Sequence, residues 1–196
     1  MQRTGRNGAP AGKQELNRGA VMKQFGAPRR GLPRRPGAFS AHLIDRETAL
    51  PNRFALMAEI DFALANHGTH VGVVLVRAAG LPAHAVEGDT GVPGSADLLI
   101  AVSKLFRKAV RPTDLVTRTA PDELAAACWG LEDPTTIGIV AGRLRSRLTG
   151  PLAVSSEPAG LQITIGVGVV GPGSSAAEAV GYARADVGRN RPLARP

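Results

Sequence analysis

The sequence has a single cysteine, few aromatic residues and no long hydrophobic run. Cys128 cannot form an intramolecular disulfide, and a lone cysteine is typical of a reducing compartment, so we expect a cytoplasmic location. Aromatic residues make up 4% of the 196 residues and hydrophobic residues 43%, which predicts a core of mainly Ala, Val, Leu and Ile. The longest apolar run, VGVVLV at 71–76, is too short to span a bilayer, and no apolar segment of the signal-peptide type follows the first charges.

The positive charge of the chain lies entirely in its first 40 residues. The formal net charge is +8, and residues 1–40 hold nine Lys or Arg against one acid, whereas residues 41–196 hold 15 of each sign. Because residues 1–40 are also rich in Gly and Pro, we expect them to be a disordered basic tail. Two interpretations of the tail stay open: an electrostatic arm for nucleic acid or an anionic surface, and a solvated extension.

Regular hydrophobic periods begin at residue 45 and predict alternating helices and strands up to residue 191. The predicted helices cover 51–67, 96–110, 133–148 and 174–188, and the strands cover 70–78, 113–118, 123–129 and 161–170, with a further strand near 151–156. This order predicts an α/β (α+β) sandwich with a mixed sheet and a ferredoxin-like core. Residues 41–191 are therefore expected to form one domain, followed by a short tail at 192–196.

Helix starts can be assigned from residues that favour the first turn. Pro51 is expected in the first turn of the first helix, Asp133 at the N-cap of the third with Pro134 at its first position, and Ser174 or Ser175 at the N-cap of the last.

Three patterns are candidates for chemistry. Gly166, Gly168 and Gly171 have the spacing of a dinucleotide-binding turn, but they lie within the strand pattern, which favours glycines that permit close packing. His67 and His70 lack a third metal ligand nearby, which favours a polar loop. The carboxylates Asp122 and Glu123 occupy the predicted tip of a hairpin, where hard oxygen ligands suit Mg²⁺.

Five short motifs, in order along the chain, carry a resemblance to one family. They are DRETALPNR (45–53), ADLLIAVSKLFRKAVRPTDLVTR (96–118), APDEL (120–124), ITIGVGV (163–169) and AEAVGYARADVGRNR (177–191). Together they resemble the GGDEF domain of diguanylate cyclases, a nucleotidyl-cyclase-like fold, with APDEL at the signature. The family condenses two GTP molecules into cyclic di-GMP, with one GTP and Mg²⁺ held by each of two facing domains. The resemblance therefore implies a homo- or heterodimer with another GGDEF domain.

The same resemblance implies an eroded catalytic site. The family's first metal carboxylate is replaced by Arg77 or Ala79, its guanine-reading residues by Ala85 and Ala96, and its phosphate-binding Lys by Ala185. The companion Arg survives as Arg189, and Arg184 is a candidate for partial compensation.

The signature turn has also lost its two family glycines. Ala120 and Pro121 replace them, and Pro121 has no N–H to offer a phosphate. Asp122 stays a candidate metal ligand without an opposing acid, and Asp122 with Glu123 are expected to be catalytic remnants. We therefore expect no meaningful cyclase turnover and no required cofactor, with Mg²⁺ relevant only to residual GTP binding.

One family feature survives intact in the sequence. Arg111 and Asp114 match the R-x-x-D site that binds the product cyclic di-GMP in the family, and both side chains suit recognition of guanine. The leading hypothesis is an inactive regulatory module that binds cyclic di-GMP there. Two alternatives stay open: a nucleotide-free module that partners an active cyclase, and a weak cyclase in which Glu87 and Asp89 replace the lost ligand.

Overall fold

In the part of the chain that the structure describes, a four-stranded antiparallel sheet carries two helices on each face. The computed structural model describes residues 39–80, 95–149 and 162–193. After a short 3₁₀ turn at Ala41–Leu43, the elements are α1 (Arg53–His67), β1 (His70–Ala79), α2 (Ser95–Ala109), β2 (Leu115–Ala120), β3 (Glu123–Leu131), α3 (Thr136–Thr149), β4 (Gln162–Val170) and α4 (Ala176–Arg189). No helix in these ranges combines the length and hydropathy needed to traverse a bilayer.

The strand order β2-β3-β1-β4 is that of a ferredoxin-like core, as the sequence predicted. The expected mixed sheet was wrong in one respect, because β1 pairs antiparallel with both β3 and β4, and β2 pairs antiparallel with β3. Because a helical crossover connects β1 to β2, these two strands run in the same direction. They do not pair with each other, since β3 lies between them and is antiparallel to both. Within the described ranges, parallel pairing is confined to an isolated bridge between Asn52 and Arg118.

Strand alternation divides the apolar residues between the two faces of the sheet. Val74 and Val76 of β1 pack with α2 and α3, whereas Val73 and Leu75 pack with α1 and α4. Arg77 has the same parity as Val73 and Leu75. This register places Arg77 on the face covered by α1 and α4, at the end of β1 that meets the tip of the β2–β3 hairpin.

The glycines of β4 make close contact with α4. A Cβ at Gly166 would lie 2.4 Å from the carbonyl oxygen of Ala183, and one at Gly168 would lie 2.3 Å from that of Ala179. No side chain fits at these distances. The close-packing interpretation of the glycine pattern is therefore confirmed.

Two helix starts differ from the sequence prediction. Asn52 caps α1 by accepting hydrogen bonds from the amides of Phe54 and Ala55, so Pro51 precedes the helix and forms a bridge with Ile44 instead. The Asp133 carboxylate does accept a bond from the Thr135 amide, but α3 begins at Thr136.

The start of α4 agrees with the sequence. Ser175 and Glu178 form a capping box there, as one of the two predicted caps. The predicted strand near 151–156 lies outside the described residues.

Candidate functional site

The tip of the β2–β3 hairpin holds the two acidic residues that the sequence singled out. Pro121 and Asp122 form the turn, and Thr119 is an extra residue in β2, because Arg118 pairs with Leu124 while Ala120 pairs with Glu123. This bulge turns the Thr119 hydroxyl toward the Glu123 carboxylate, which accepts its hydrogen bond at 2.7 Å.

The Glu123 carboxylate is clamped between two guanidinium groups. Glu123 is 1% exposed. Arg184 of α4 donates from Nη2 to Oε1 at 2.8 Å and from Nε at 3.2 Å, and Arg77 of β1 donates from Nη2 to Oε2 at 3.1 Å. Burial alone would raise the pKa of Glu123, but the bonds from Arg184, Thr119 and Arg77 bring that pKa below its usual value. The carboxylate is therefore ionised and fully occupied by protein donors.

The two residues proposed to replace the family's first metal carboxylate lie at different distances along β1 from the hairpin acids. Arg77 pairs directly across the sheet with Glu123, whereas Ala79 lies beyond the end of that pairing and faces Gln162 of β4. A guanidinium thus lies beside the hairpin acids. Two cations around one carboxylate repel a divalent ion, so these residues do not fit Mg²⁺.

Asp122 differs from its neighbour in its surroundings. Its backbone carbonyl accepts a hydrogen bond from the Ala78 amide at 2.8 Å, but within the described ranges its half-buried carboxylate takes part in no hydrogen bond or ion pair. A single unopposed carboxylate provides one ligand of the several that Mg²⁺ needs. The replacement acids Glu87 and Asp89 lie outside the described residues, as does Ala85.

The two arginines of α4 differ in how firmly their guanidinium groups are held. Arg184 is engaged with Glu123, and Arg189 forms an ion pair with Asp186 at 3.1 Å, although Arg189 remains largely exposed. Arg184 therefore serves as a counter-ion of the hairpin.

Arg118 holds the turn of the β2–β3 hairpin in place, and the sequence did not identify it as a site residue. Its guanidinium is almost buried, donates to the Pro121 carbonyl at 3.0 Å and forms ion pairs with Asp45 at 3.1 Å and with Glu47. The segment before α1 is thereby joined to the signature hairpin. The available signal was a charged residue within a predicted strand.

Arg111 and Asp114 lie together in the turn between α2 and β2, but their exposure differs. The Arg111 side chain is exposed, whereas Asp114 is 2% exposed and its Oδ2 accepts a hydrogen bond from the Arg111 amide at 2.8 Å. Burial raises the pKa of Asp114, and the bond from the Arg111 amide opposes that rise. Asp114 thus holds the backbone of this turn, and Arg111 presents its guanidinium to solvent.

A cavity of about 290 Å³ opens beside this turn, between the end of α2 and α3. Four cations line it, namely Lys108, Arg111, Arg143 and Arg147. Only Arg111 among them was a candidate site residue in the sequence. Buried Asp114 and Cys128 also contribute to its wall. The i, i+4 spacing of Arg143 and Arg147 on a helix was the signal that could have identified this cluster.

Comparison with known families and structures places this geometry in context. Residues 42–191 match the family model described as diguanylate cyclase, GGDEF domain. No curated protein matches the chain.

Solved structures of GGDEF domains share the fold at low identity. The GGDEF domain of YfiN from Pseudomonas aeruginosa is 20% identical with a TM-score of 0.61, covering 76% of this chain and 90% of that one. The FimX GGDEF domain from the same organism is 19% identical with a TM-score of 0.60, covering 75% and 92%. The GGDEF domain of DgcB from Caulobacter crescentus, solved in complex with c-di-GMP, is 17% identical with a TM-score of 0.60, covering 78% and 91%.

Proposed function

This chain belongs to the diguanylate cyclase GGDEF-domain family, and we propose that it acts in cyclic di-GMP signalling by binding the dinucleotide without synthesising it. The observation that carries the inactive half of this proposal is the Glu123 carboxylate held between Arg77 and Arg184. Phosphoryl transfer from GTP needs metal ions that neutralise the phosphates. Protein cations already occupy Glu123, and Asp122 has no opposing acid among the described residues, so this chain does not provide the ligands that such metal ions need.

The cavity between α2 and α3 supports the binding half of the proposal. Cyclic di-GMP carries two phosphates and two guanines. Arg111 is exposed at the cavity and can donate two parallel hydrogen bonds to guanine O6 and N7, while Arg143 and Arg147 place further positive charge on the same cavity for the phosphates. Asp114 supports this site indirectly, because its carboxylate accepts a hydrogen bond from the Arg111 amide and so fixes the backbone that carries the Arg111 side chain.

Titration calorimetry with cyclic di-GMP tests the binding site. We expect Arg111→Ala to weaken binding about 5- to 150-fold, since a bidentate guanidinium contact contributes about 1–3 kcal/mol. Arg145→Ala is the matched control, because Arg145 is an exposed arginine of α3 that does not line the cavity. Equal affinity of the wild type and Arg111→Ala would refute the assignment.

A turnover assay with GTP tests the inactive half separately. We expect no cyclic di-GMP from the purified chain with Mg²⁺ or Mn²⁺. Product that disappears on Asp122→Ala substitution would instead establish the chain as a weak cyclase.

The burial of Asp114 favours a second candidate function. A carboxylate that is 2% exposed and bonded to its own turn is poorly placed to read guanine N–H groups. The chain would then be a nucleotide-free module that pairs with an active cyclase, homo- or heterodimerically. Absence of binding to both GTP and cyclic di-GMP, together with co-elution of a GGDEF partner in size-exclusion chromatography, would favour this candidate over the first.

A further inference from the structure

The two helical layers of the domain carry very different charges, although residues 41–196 are neutral in total. Helices α1 and α4 together hold four acids and three arginines. Helices α2 and α3 hold six cations and a single acid, Asp97, in the first turn of α2. The neutrality deduced from the sequence therefore conceals one strongly basic face.

Five cations on and beside these two helices form a patch for which the described residues provide no acidic partner. We call the exposed residues Lys104, Lys108, Arg111, Arg143 and Arg147 the basic patch. Four of them surround the cavity, and Lys104 lies one turn before Lys108 on the same side of α2. None of the five takes part in an ion pair within residues 39–80, 95–149 and 162–193.

Like charges lie close together within the patch and beside it, and their repulsion is unfavourable. Lys104 and Lys108, and likewise Arg143 and Arg147, are like charges at i, i+4, an arrangement that destabilises a helix when nothing neutralises it. Arg107 of α2 is half-buried without an acid partner in the described part of the chain, and this burial lowers its pKa. The nearby Asp114 is enclosed and committed to its own turn. An anionic partner would relieve each of these costs.

An exposed aliphatic side chain indicates which kind of anionic partner fits. Ile139 is 58% exposed and continues the line of Arg143 and Arg147 along α3, at i, i+4, i+8. A helix that presents cations together with an exposed aliphatic residue suits the headgroup region of a bilayer. The features of a nucleic-acid surface are weaker, because the indole N–H of Trp129 is engaged by the Thr113 carbonyl and the exposed aromatic rings lie on α1 and α4.

We propose that the basic patch and Ile139 form a docking surface for an anionic lipid bilayer. The expected contribution follows from the attraction of each Lys or Arg to an anionic surface, about 1 kcal/mol or fivefold in affinity per residue. Removing three of the patch charges should therefore weaken binding roughly a hundredfold. Binding should also fall as salt rises, because exposed charges are screened.

Vesicle sedimentation with the full chain tests this proposal. The probe is large vesicles of phosphatidylcholine with and without phosphatidylglycerol. We expect binding only to the anionic vesicles, and a roughly hundredfold loss in the variant Lys104→Gln/Lys108→Gln/Arg147→Gln. The matched control is Arg46→Gln/Arg53→Gln/Arg191→Gln, which removes the same charge from exposed positions away from the patch and should retain binding within a few-fold.

Three outcomes would overturn the proposal. Equal losses in the two triple variants would mean that net charge alone, including the basic tail, drives binding. Unchanged binding in the patch variant would assign the surface elsewhere. Tighter, patch-dependent binding to duplex DNA than to vesicles would replace the bilayer with nucleic acid. The dinucleotide site and the patch share Arg111, Arg143 and Arg147. Calorimetry and vesicle sedimentation are nevertheless separate measurements, so failure of cyclic di-GMP to bind would leave this proposal standing.

Discussion

Glu123→Gln separates the structural role of the hairpin acid from any catalytic remnant. The substitution keeps the shape of the side chain and removes the charge to which Arg184, Arg77 and Thr119 donate. Breaking a buried pair by removing one partner costs about 3–5 kcal/mol, but the arginine side chains are 35% and 39% exposed and can recruit water. We therefore expect a loss of about 2 kcal/mol, which corresponds to a fall in Tm of about 4–8 °C for a domain of this size.

Urea unfolding of the wild type and two variants measures this loss. Asp122→Asn is the matched control, because it removes the adjacent carboxylate, which has no bonded partner in the described chain, and should change stability by less than about 0.5 kcal/mol. Equal stability of Glu123→Gln and the wild type would refute the reasoning, since the clamp would then contribute nothing. A loss of the same size in Asp122→Asn would refute it as well.

The pH dependence provides an independent check with a definite sign. The pKa of Glu123 is lower in the folded chain than in the unfolded chain, where it is about 4.3. Its stabilising contribution is therefore fully present above that unfolded value and is lost as pH falls through the folded pKa. The gap in stability between the wild type and Glu123→Gln should stay constant from about pH 7 to pH 5 and close in more acidic buffer.

Three further predictions concern packing, capping and thiol reactivity. Gly168→Ala should destabilise the domain by at least about 2 kcal/mol because the new Cβ would lie 2.3 Å from the carbonyl oxygen of Ala179, whereas Gly181→Ala, in open space on α4, should be neutral or stabilising in urea unfolding. Asn52→Ala should lower the stability measured in the same assay by about 1 kcal/mol, through loss of the α1 cap. Burial and the charge of Asp114 raise the pKa of Cys128, so the thiol should resist Ellman's reagent at about pH 8 until urea unfolds the chain.

The sequence predicted the fold well because its signals are local. Hydrophobic periods and caps such as Ser175 depend on residues a few positions apart, and the motif order identified the family. The predicted start of α1 was less accurate, since a proline such as Pro51 can lie before an N-cap residue as well as after one. The expectation of a mixed sheet was also wrong. The order of elements along the chain does not reveal that β3 lies between the parallel strands β1 and β2.

The site was only partly predictable because its contacts join distant parts of the chain. Arg184 meets Glu123 across 61 positions, and the contact of Arg77 with Glu123 depends on the pairing register of β1 with β3. The sequence grouped Arg111 with Asp114 as equal ligands, and exposure is what separates them. Which of two residues close in sequence becomes buried depends on tertiary packing, and their spacing along the chain does not reveal it.

The retention of Glu123 in a site that does not fit a metal has a physical explanation. A carboxylate that is 1% exposed needs a counter-charge wherever it remains ionised. In a site that binds Mg²⁺ the ion provides that charge, whereas here Arg77 and Arg184 provide it permanently. The two guanidinium groups neutralise Glu123 without a metal ion, which gives this acid a role in the fold. Asp122, which has no such partners in the described chain, is the better indicator of whether any selection on metal binding remains.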